Sequence, residues 1–180
     1  MPLLTGGGRP KKFFDRLASR YDRINARIYR GEWLDRVRLA IRGKRVLDVG
    51  VGTGFTTNHL DEAVGIDLSR EMLRRARYRG HLVQADFMRP PFRGPTFDSI
   101  VFAGSFYYLP SAPVGAAIAA ELLRPEGRVI ILSPATLLLA AFVPIYTESD
   151  YRELMARAGL RLLSYERLNW AACLVIAEKP

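Results

Sequence analysis

Val46-Leu47-Asp48-Val49-Gly50-Val51-Gly52-Thr53-Gly54 decides the fold. Together with Arg45, its first half is a short β-branched run of the kind that forms a parallel strand buried on both faces. Its second half has glycine at every other position, which lets the backbone turn sharply and approach a ligand with no β-carbon in the way. The spacing separates this loop from two common phosphate binders. A dinucleotide fingerprint is G-x-G-x-x-G, with a helix N-terminus aimed at a pyrophosphate. Here the third glycine comes one residue early, and Phe55 stands in the last place. No Gly-Lys-Ser/Thr follows, so the loop is not a P-loop. Taken alone, the motif also fits a plain glycine turn between strand and helix.

Downstream, the pattern alternates. A short helix is expected after the loop, then a second strand over 63–67. Ser69 is a good N-cap for a helix over 70–79, with Met72, Leu73 and Ala76 facing inward. Strands follow at 81–86 and 97–102, then an Ala-rich helix over 111–123 ending at the turn Arg124-Pro125-Glu126-Gly127. The fifth strand is 128–133. Residues 134–146 are strongly apolar and broken by Pro134 and Pro144. A helix over 148–158 stops at Gly159, and two last strands, 160–166 and 173–178, read as an antiparallel pair. This order predicts an α/β fold: a Rossmann-like, doubly wound, mostly parallel sheet of seven strands with an antiparallel last strand. No internal repeat and no second domain are visible.

Upstream, residues 1–10 read as a loose tail and 11–45 as a helical lid on a domain spanning 46–180. Phe13, Leu17, Tyr21, Ile24 and Ile28 form one helical stripe, and Lys12, Arg16, Arg20, Arg23, Arg27 and Arg30 a basic one beside it. Trp33, Leu34, Val37 and Ile41 share a face of a second helix over 32–41. The net charge of +9 lies in this region, since residues 1–45 hold 13 Lys/Arg against 4 Asp/Glu and the remainder balances. Such a basic edge suits phosphates or an anionic membrane surface, and equally a solvated helix face. No apolar run approaches the roughly 20 residues that span a bilayer, and the first residues lack signal-peptide character, so a cytoplasmic location is expected. Cys173 is a lone cysteine, and His59 and His81 are scattered, so no metal site is expected.

Open α/β sheets bind ligands outside the carboxyl ends of their strands. Asp67 ends the second strand, where a carboxylate can accept from both hydroxyls of a ribose, and Asp86 ends the third, where it can accept from an adenine amino group. Asp48 is placed to face a sulfonium or amino group across the loop. An Asp at one strand end is more often a cap or turn residue, but three in order behind a glycine loop favour an adenosine-containing, cationic ligand.

These segments resemble those of class I S-adenosylmethionine-dependent methyltransferases. Residues 46–54 look like their motif I, Val64-Gly65-Ile66-Asp67-Leu68-Ser69 their ribose-binding segment, and Gln84-Ala85-Asp86-Phe87 their adenine-side segment. Pro91-Phe92-Arg93-Gly94-Pro95-Thr96-Phe97-Asp98 and Leu122-Leu123-Arg124-Pro125-Glu126-Gly127-Arg128 are similar to the runs before their fourth and fifth strands. The opening Phe14-Asp15-Arg16-Leu17-Ala18-Ser19-Arg20-Tyr21-Asp22-Arg23-Ile24-Asn25 resembles that of the ubiquinone/menaquinone-biosynthesis C-methyltransferases. The resemblance implies S-adenosylmethionine as cofactor, with S-adenosylhomocysteine as product. It also implies contacts from Tyr21, Asp48, Gly50, Gly52, Thr53, Gly54, Asp67, Leu68, Asp86, Phe87, Ala103 and Gly104. Tyr21 would help close the site. The segment after the fifth strand is shorter than the insertion that quinone methyltransferases carry there.

Methyl transfer from a sulfonium is an in-line displacement that positioning and exclusion of water can accelerate. A general base helps where the acceptor carries a proton, and Tyr107, Tyr108, Tyr146 and Asp150 are candidates, although an aromatic lining role suits each tyrosine. Ala103-Gly104-Ser105-Phe106 stands where amino-methylating enzymes carry Asn/Asp-Pro-Pro-Tyr/Phe, and Cys173 suits a strand core rather than cytosine chemistry. The expected acceptor is a small apolar molecule: a quinol, phenol or lipid. The alternatives are an RNA or protein methyltransferase using the basic edge, or a cofactor-binding regulatory protein without turnover.

Overall fold

The computed structural model describes residues 31–180. The tail, the basic stripe and Tyr21 lie outside the described residues. Seven strands form one sheet in the order β3-β2-β1-β4-β5-β7-β6. They are β1 (Val46–Val49), β2 (Val64–Asp67), β3 (His81–Gln84), β4 (Phe97–Ala103), β5 (Leu123–Pro134), β6 (Arg161–Arg167) and β7 (Ala172–Glu178). The first five are mutually parallel, while β7 runs antiparallel to both β5 and β6. The chain moves outward from β1 to β3, then returns to β4 on the other side. The strand order therefore reverses between β1 and β4, where a crevice opens at the carboxyl ends.

Both faces of the sheet are covered, which is why its central strands carry apolar side chains on both sides. Leu47, Val49, Ile100, Phe102, Val129, Ile131 and Val175 pack on one face beneath α3 (Ala112–Leu122) and α4 (Glu148–Arg157). Their neighbours along the strands, Val46, Val101, Ile130, Leu132 and Leu174, pack on the other against Trp33, Val37 and Ala40 of α1 (Gly31–Ala40). Phe87, Phe102 and Phe106 form an edge-to-face series at 5.1 and 5.2 Å, each pair worth about 0.5–1.5 kcal/mol beyond its buried area.

The helices begin where the caps predict. Ser69 accepts from the Met72 amide at the start of α2 (Arg70–Arg75), and Ser111 accepts from Val114 at the start of α3. Thr147 and Asp150 form a reciprocal capping box on α4.

Three expectations need correction. No helix follows the glycine loop, because the carbonyls of 53, 55, 56 and 58 are taken by non-helical partners. Arg38 donates to Phe55 O and Thr56 O, while Arg77 N and Arg79 N donate to Thr53 O and Asn58 O. The adjacent Thr56 and Thr57 also lower helix propensity. For the same reason α2 stops at Arg75 rather than Arg79: residues 77–79 turn away to pair with this loop. Finally, the turn at 124–127 lies inside the long β5, with Glu126 at φ 61.

Candidate active site

The site grows from the end of β1. Because side chains alternate along a strand, Asp48 faces the same side as Val46. It is 2% exposed, directly before the glycine loop. The loop is tied to β2 by bonds from the Gly50 and Val51 amides to Ile66 O, at 2.8 and 3.0 Å. Gly50 has φ +71, and a β-carbon there would lie 2.6 Å from the Ser105 β-carbon. Glycine thus lets β4's following loop close onto β1, where the Ser105 hydroxyl donates to Val49 O.

Asp67 organises the same loop. One carboxylate oxygen accepts from the Gly52 amide at 2.9 Å and the other from the Ser69 amide at 2.8 Å. Asp86 has one oxygen in a turn with the Met88 amide at 2.9 Å, and its side chain is exposed. Leu68 is exposed, whereas Phe87 is buried against Phe102. Ala103 and Gly104 are half-buried at the end of β4, with the Gly104 amide donating to Leu132 O at 3.0 Å.

Asp48 accepts from the Thr57 hydroxyl at 2.6 Å, and Thr57 lies 2.7 Å from the Tyr78 hydroxyl. With Asp48 ionised, the chain runs from Tyr78 through Thr57 to the carboxylate, each hydroxyl donating to the next. Burial pushes Asp48 up to about 7, the Thr57 bond opposes this, and the Asp67 charge adds to it. No Lys or Arg pairs with Asp48 among the described residues. Thr53 Oγ1 is buried in the loop without a hydrogen-bond partner. A buried carboxyl lacking a cation and a buried hydroxyl lacking a partner both fit a cationic, hydroxylated ligand in this cradle.

The candidate bases sit on the same rim. Tyr107 and Tyr108 lie in a 3-10 turn after β4, their rings 4.5 Å apart. Tyr146 is half-buried against Tyr151 and lines a cleft of about 460 Å³ between the starts of α3 and α4. Burial, and then the Asp150 charge, hold the Tyr146 phenol above its ordinary value. Asp150 is occupied by its cap: bonds from the Thr147 amide and hydroxyl, both at 2.7 Å, hold it below the usual carboxylate range. His59 is exposed in a turn, and Cys173 is buried in β7. The sequence reading missed Thr57, Tyr78 and Ser105. Thr57 meets Asp48 across nine positions, Tyr78 meets Thr57 across 21 and Ser105 meets Val49 across 56, and no spacing rule marks them.

Residues 47–131 match the family described as a methyltransferase domain. The chain is 31% identical to the ubiquinone/menaquinone biosynthesis C-methyltransferase of Syntrophotalea carbinolica, over 85% of this chain and 72% of that protein. It is 30% identical to the demethylmenaquinone methyltransferase of Corynebacterium urealyticum, over 81% of this chain and 68% of that protein. A Thermotoga maritima S-adenosylmethionine-dependent methyltransferase superposes with a TM-score of 0.79 at 17% identity, over 94% of this chain and 99% of that one. With the topology and these relatives together, the chain belongs to the class I S-adenosylmethionine-dependent methyltransferases, in the family of the ubiquinone/menaquinone-biosynthesis C-methyltransferases.

Proposed function

We propose that this methyltransferase alkylates a small, apolar aromatic acceptor of the quinol or phenol type, using the glycine-loop cradle for S-adenosylmethionine. The observation that carries the reading is the shared rim: the cradle at the end of β1 is closed by the β4 loop that goes on to Tyr107 and Tyr108. The Corynebacterium and Syntrophotalea relatives, named for demethylmenaquinone and for ubiquinone/menaquinone, support the acceptor class.

When bound, S-adenosylmethionine supplies an electrophilic methyl group on a sulfonium. The residues of the chain do the rest. Asp67 would accept from the ribose hydroxyls while ordering the loop through its bonds from the Gly52 and Ser69 amides. Asp86 would take the adenine amino group, and Thr53 Oγ1 offers the loop a polar contact. Gly50, Gly52, Gly54, Ala103 and Gly104 let the backbone approach, with Leu68 and Phe87 flanking the adenosine side. Asp48 sets a negative charge beneath the loop, polarised by Thr57 and Tyr78. Tyr107 and Tyr108 would hold the acceptor ring and exclude water, which positions the attacking carbon or oxygen. Tyr146, kept protonated by its burial, serves as a hydrogen-bond donor rather than a base.

Incubating the chain with methyl-labelled S-adenosylmethionine and a reduced naphthoquinone lacking its ring methyl group tests the proposal, with host RNA and protein fractions in parallel. Label is expected in the quinol. Label in RNA or protein alone, or cofactor binding with no transfer to any fraction, would overturn it.

A further inference from the structure

We propose that the loop after β5 and the β6–β7 loop together form a docking surface for an anionic lipid bilayer. The reason for such a surface rests on the apolar acceptor proposed above, whereas its geometry does not. Residues 134–147 contain no charged side chain. Within them, Leu137–Leu139 form a 3-10 turn that buries none of its residues, and every side chain from 137 to 142 is exposed. Leu137 and Leu138 are 80% and 76% exposed, and Phe142 is 48% exposed. Trp170, in the β6–β7 loop, is 66% exposed.

The two loops are one surface. Pro134 of β5 stands opposite Ala172 of β7, so both loops leave the sheet at the same rim. The Ala135 amide donates to Ala171 O at 2.8 Å. The Arg167 guanidinium ties them again, donating to Ala135 O at 3.2 Å and to Trp170 O at 3.1 Å. Large apolar side chains exposed singly are ordinary in a protein surface, but five on two joined loops mark an interaction site.

The chemistry favours lipid over a second copy of the chain. A short turn of leucines projecting from a rim offers little flat area, whereas a stable dimer needs roughly 800 Å² from each partner. Leucine and phenylalanine beside an exposed tryptophan and an arginine are the residues that settle at a bilayer interface. The charge agrees, since exposed Arg167 ties the two loops and the net +9 of residues 1–45 adds a cationic segment that anionic headgroups would attract. The placement is also useful. Neighbouring strands lie about 4.8 Å apart, so β5 and β7 put the patch roughly 10–15 Å along the rim from the glycine loop. An acceptor dissolved in the bilayer would reach the site without crossing water.

The test is co-sedimentation of the full chain with vesicles of equal parts phosphatidylglycerol and phosphatidylcholine, and with phosphatidylcholine alone. The wild type is expected to bind the anionic vesicles, and Leu137→Asp/Leu138→Asp to bind them at least about tenfold more weakly with an unchanged melting curve. Trp33 is buried and Trp170 exposed, so tryptophan emission should shift to the blue on binding, and Trp170→Phe should abolish the shift. Vesicle binding that survives the double substitution would overturn the proposal. So would a wild-type dimer that the substitution splits, in a chain that ignores vesicles. Methyl transfer to a detergent-dispersed quinol is measured separately on the wild type. Vesicle binding without transfer sinks the acceptor reading alone, and transfer without vesicle binding sinks the docking surface alone.

Discussion

Replacing Asp48 by Asn removes a buried charge while keeping the shape of the side chain. Burial raises this carboxyl from 3.8 to about 7. Between those values the folded chain holds a proton that the unfolded chain has released, so stability falls as pH rises, by about 1.4 kcal/mol per unit. Below pH 3.8 the group carries no penalty, and above about pH 7 the penalty levels off at about 4 kcal/mol. The amide can still accept from Thr57, but its N–H groups bring a cost of about 1–3 kcal/mol where no acceptor meets them. Asp48→Asn is therefore expected to be more stable than the wild type at pH 8, by about 1–3 kcal/mol, and close to it at pH 5. The change in this difference between the two pH values, about 3 kcal/mol, is free of the amide's own cost. Urea unfolding of both proteins at pH 5 and pH 8 measures it. A change of less than about 0.5 kcal/mol would refute the assignment of a buried, titrating Asp48. Calorimetry with S-adenosylmethionine at pH 8 should show the reverse trade, with binding at least about tenfold weaker in the more stable variant.

Thr57→Val removes the hydroxyl that donates to Asp48 and should raise the pH at which S-adenosylmethionine binding reaches half its maximum by about one unit, read by calorimetry across pH 6–9. Asp67→Ala deletes the acceptor of two backbone amides as well as the proposed ribose contact. It should weaken cofactor binding by about 1–3 kcal/mol and lower stability by a similar amount, and unchanged affinity would overturn the ribose assignment. Gly50→Ala forces a β-carbon into Ser105 at a positive φ and should abolish measurable cofactor binding, whereas Ser105→Gly beside it should restore part of that binding. Asp98 feels an upward push from burial that amide bonds from Arg45 and Lys44 and the Arg124 guanidinium outweigh, so its folded value lies below the ordinary one. Asp98→Ala should then destabilise the chain at pH 7, with a gap that closes as pH falls through that depressed value, seen in melting curves from pH 7 to pH 3.

Most of the sheet was legible because its signals are local. The buried run Val46, Leu47 and Val49 sits where both faces are covered, and Ser69, Ser111 and Thr147 each accept from an amide three residues on. Elements went wrong where a distant partner competed with local preference. Arg38 from α1 and residues 77–79 claim the carbonyls after the glycine loop, so the helix expected there never forms. The apolar run at 134–146 was equally readable as core or surface from composition. Only the fold settles that Leu137 and Leu138 point outward while Val143 turns in.

The same division explains why the cradle could be read and the acceptor side could not. Asp48 and Asp67 stand at the ends of β1 and β2, and Asp86 lies two residues past β3, which ends at Gln84 rather than at 86; the three strands are consecutive in the chain and adjacent in the sheet, so sequence order already is spatial order. Past β4 the two orders part. The chain runs β5, β6, β7, but the sheet runs β5, β7, β6, and the antiparallel β7 brings Ala172 back beside Pro134. The rim beyond the cradle is thus assembled from 105–108, 135–147 and 168–171, three segments that no single spacing links. Thr57 and Tyr78 make the same point within the cradle itself. Their hydroxyls meet 2.7 Å apart although 21 positions separate them, because α2 ends early enough for Tyr78 to turn back. A helix running to Arg79, as propensity alone would have it, would carry that hydroxyl away and leave Thr57 without the Tyr78 contact. The broken helix is what brings Tyr78 to the hydroxyl that bonds Asp48.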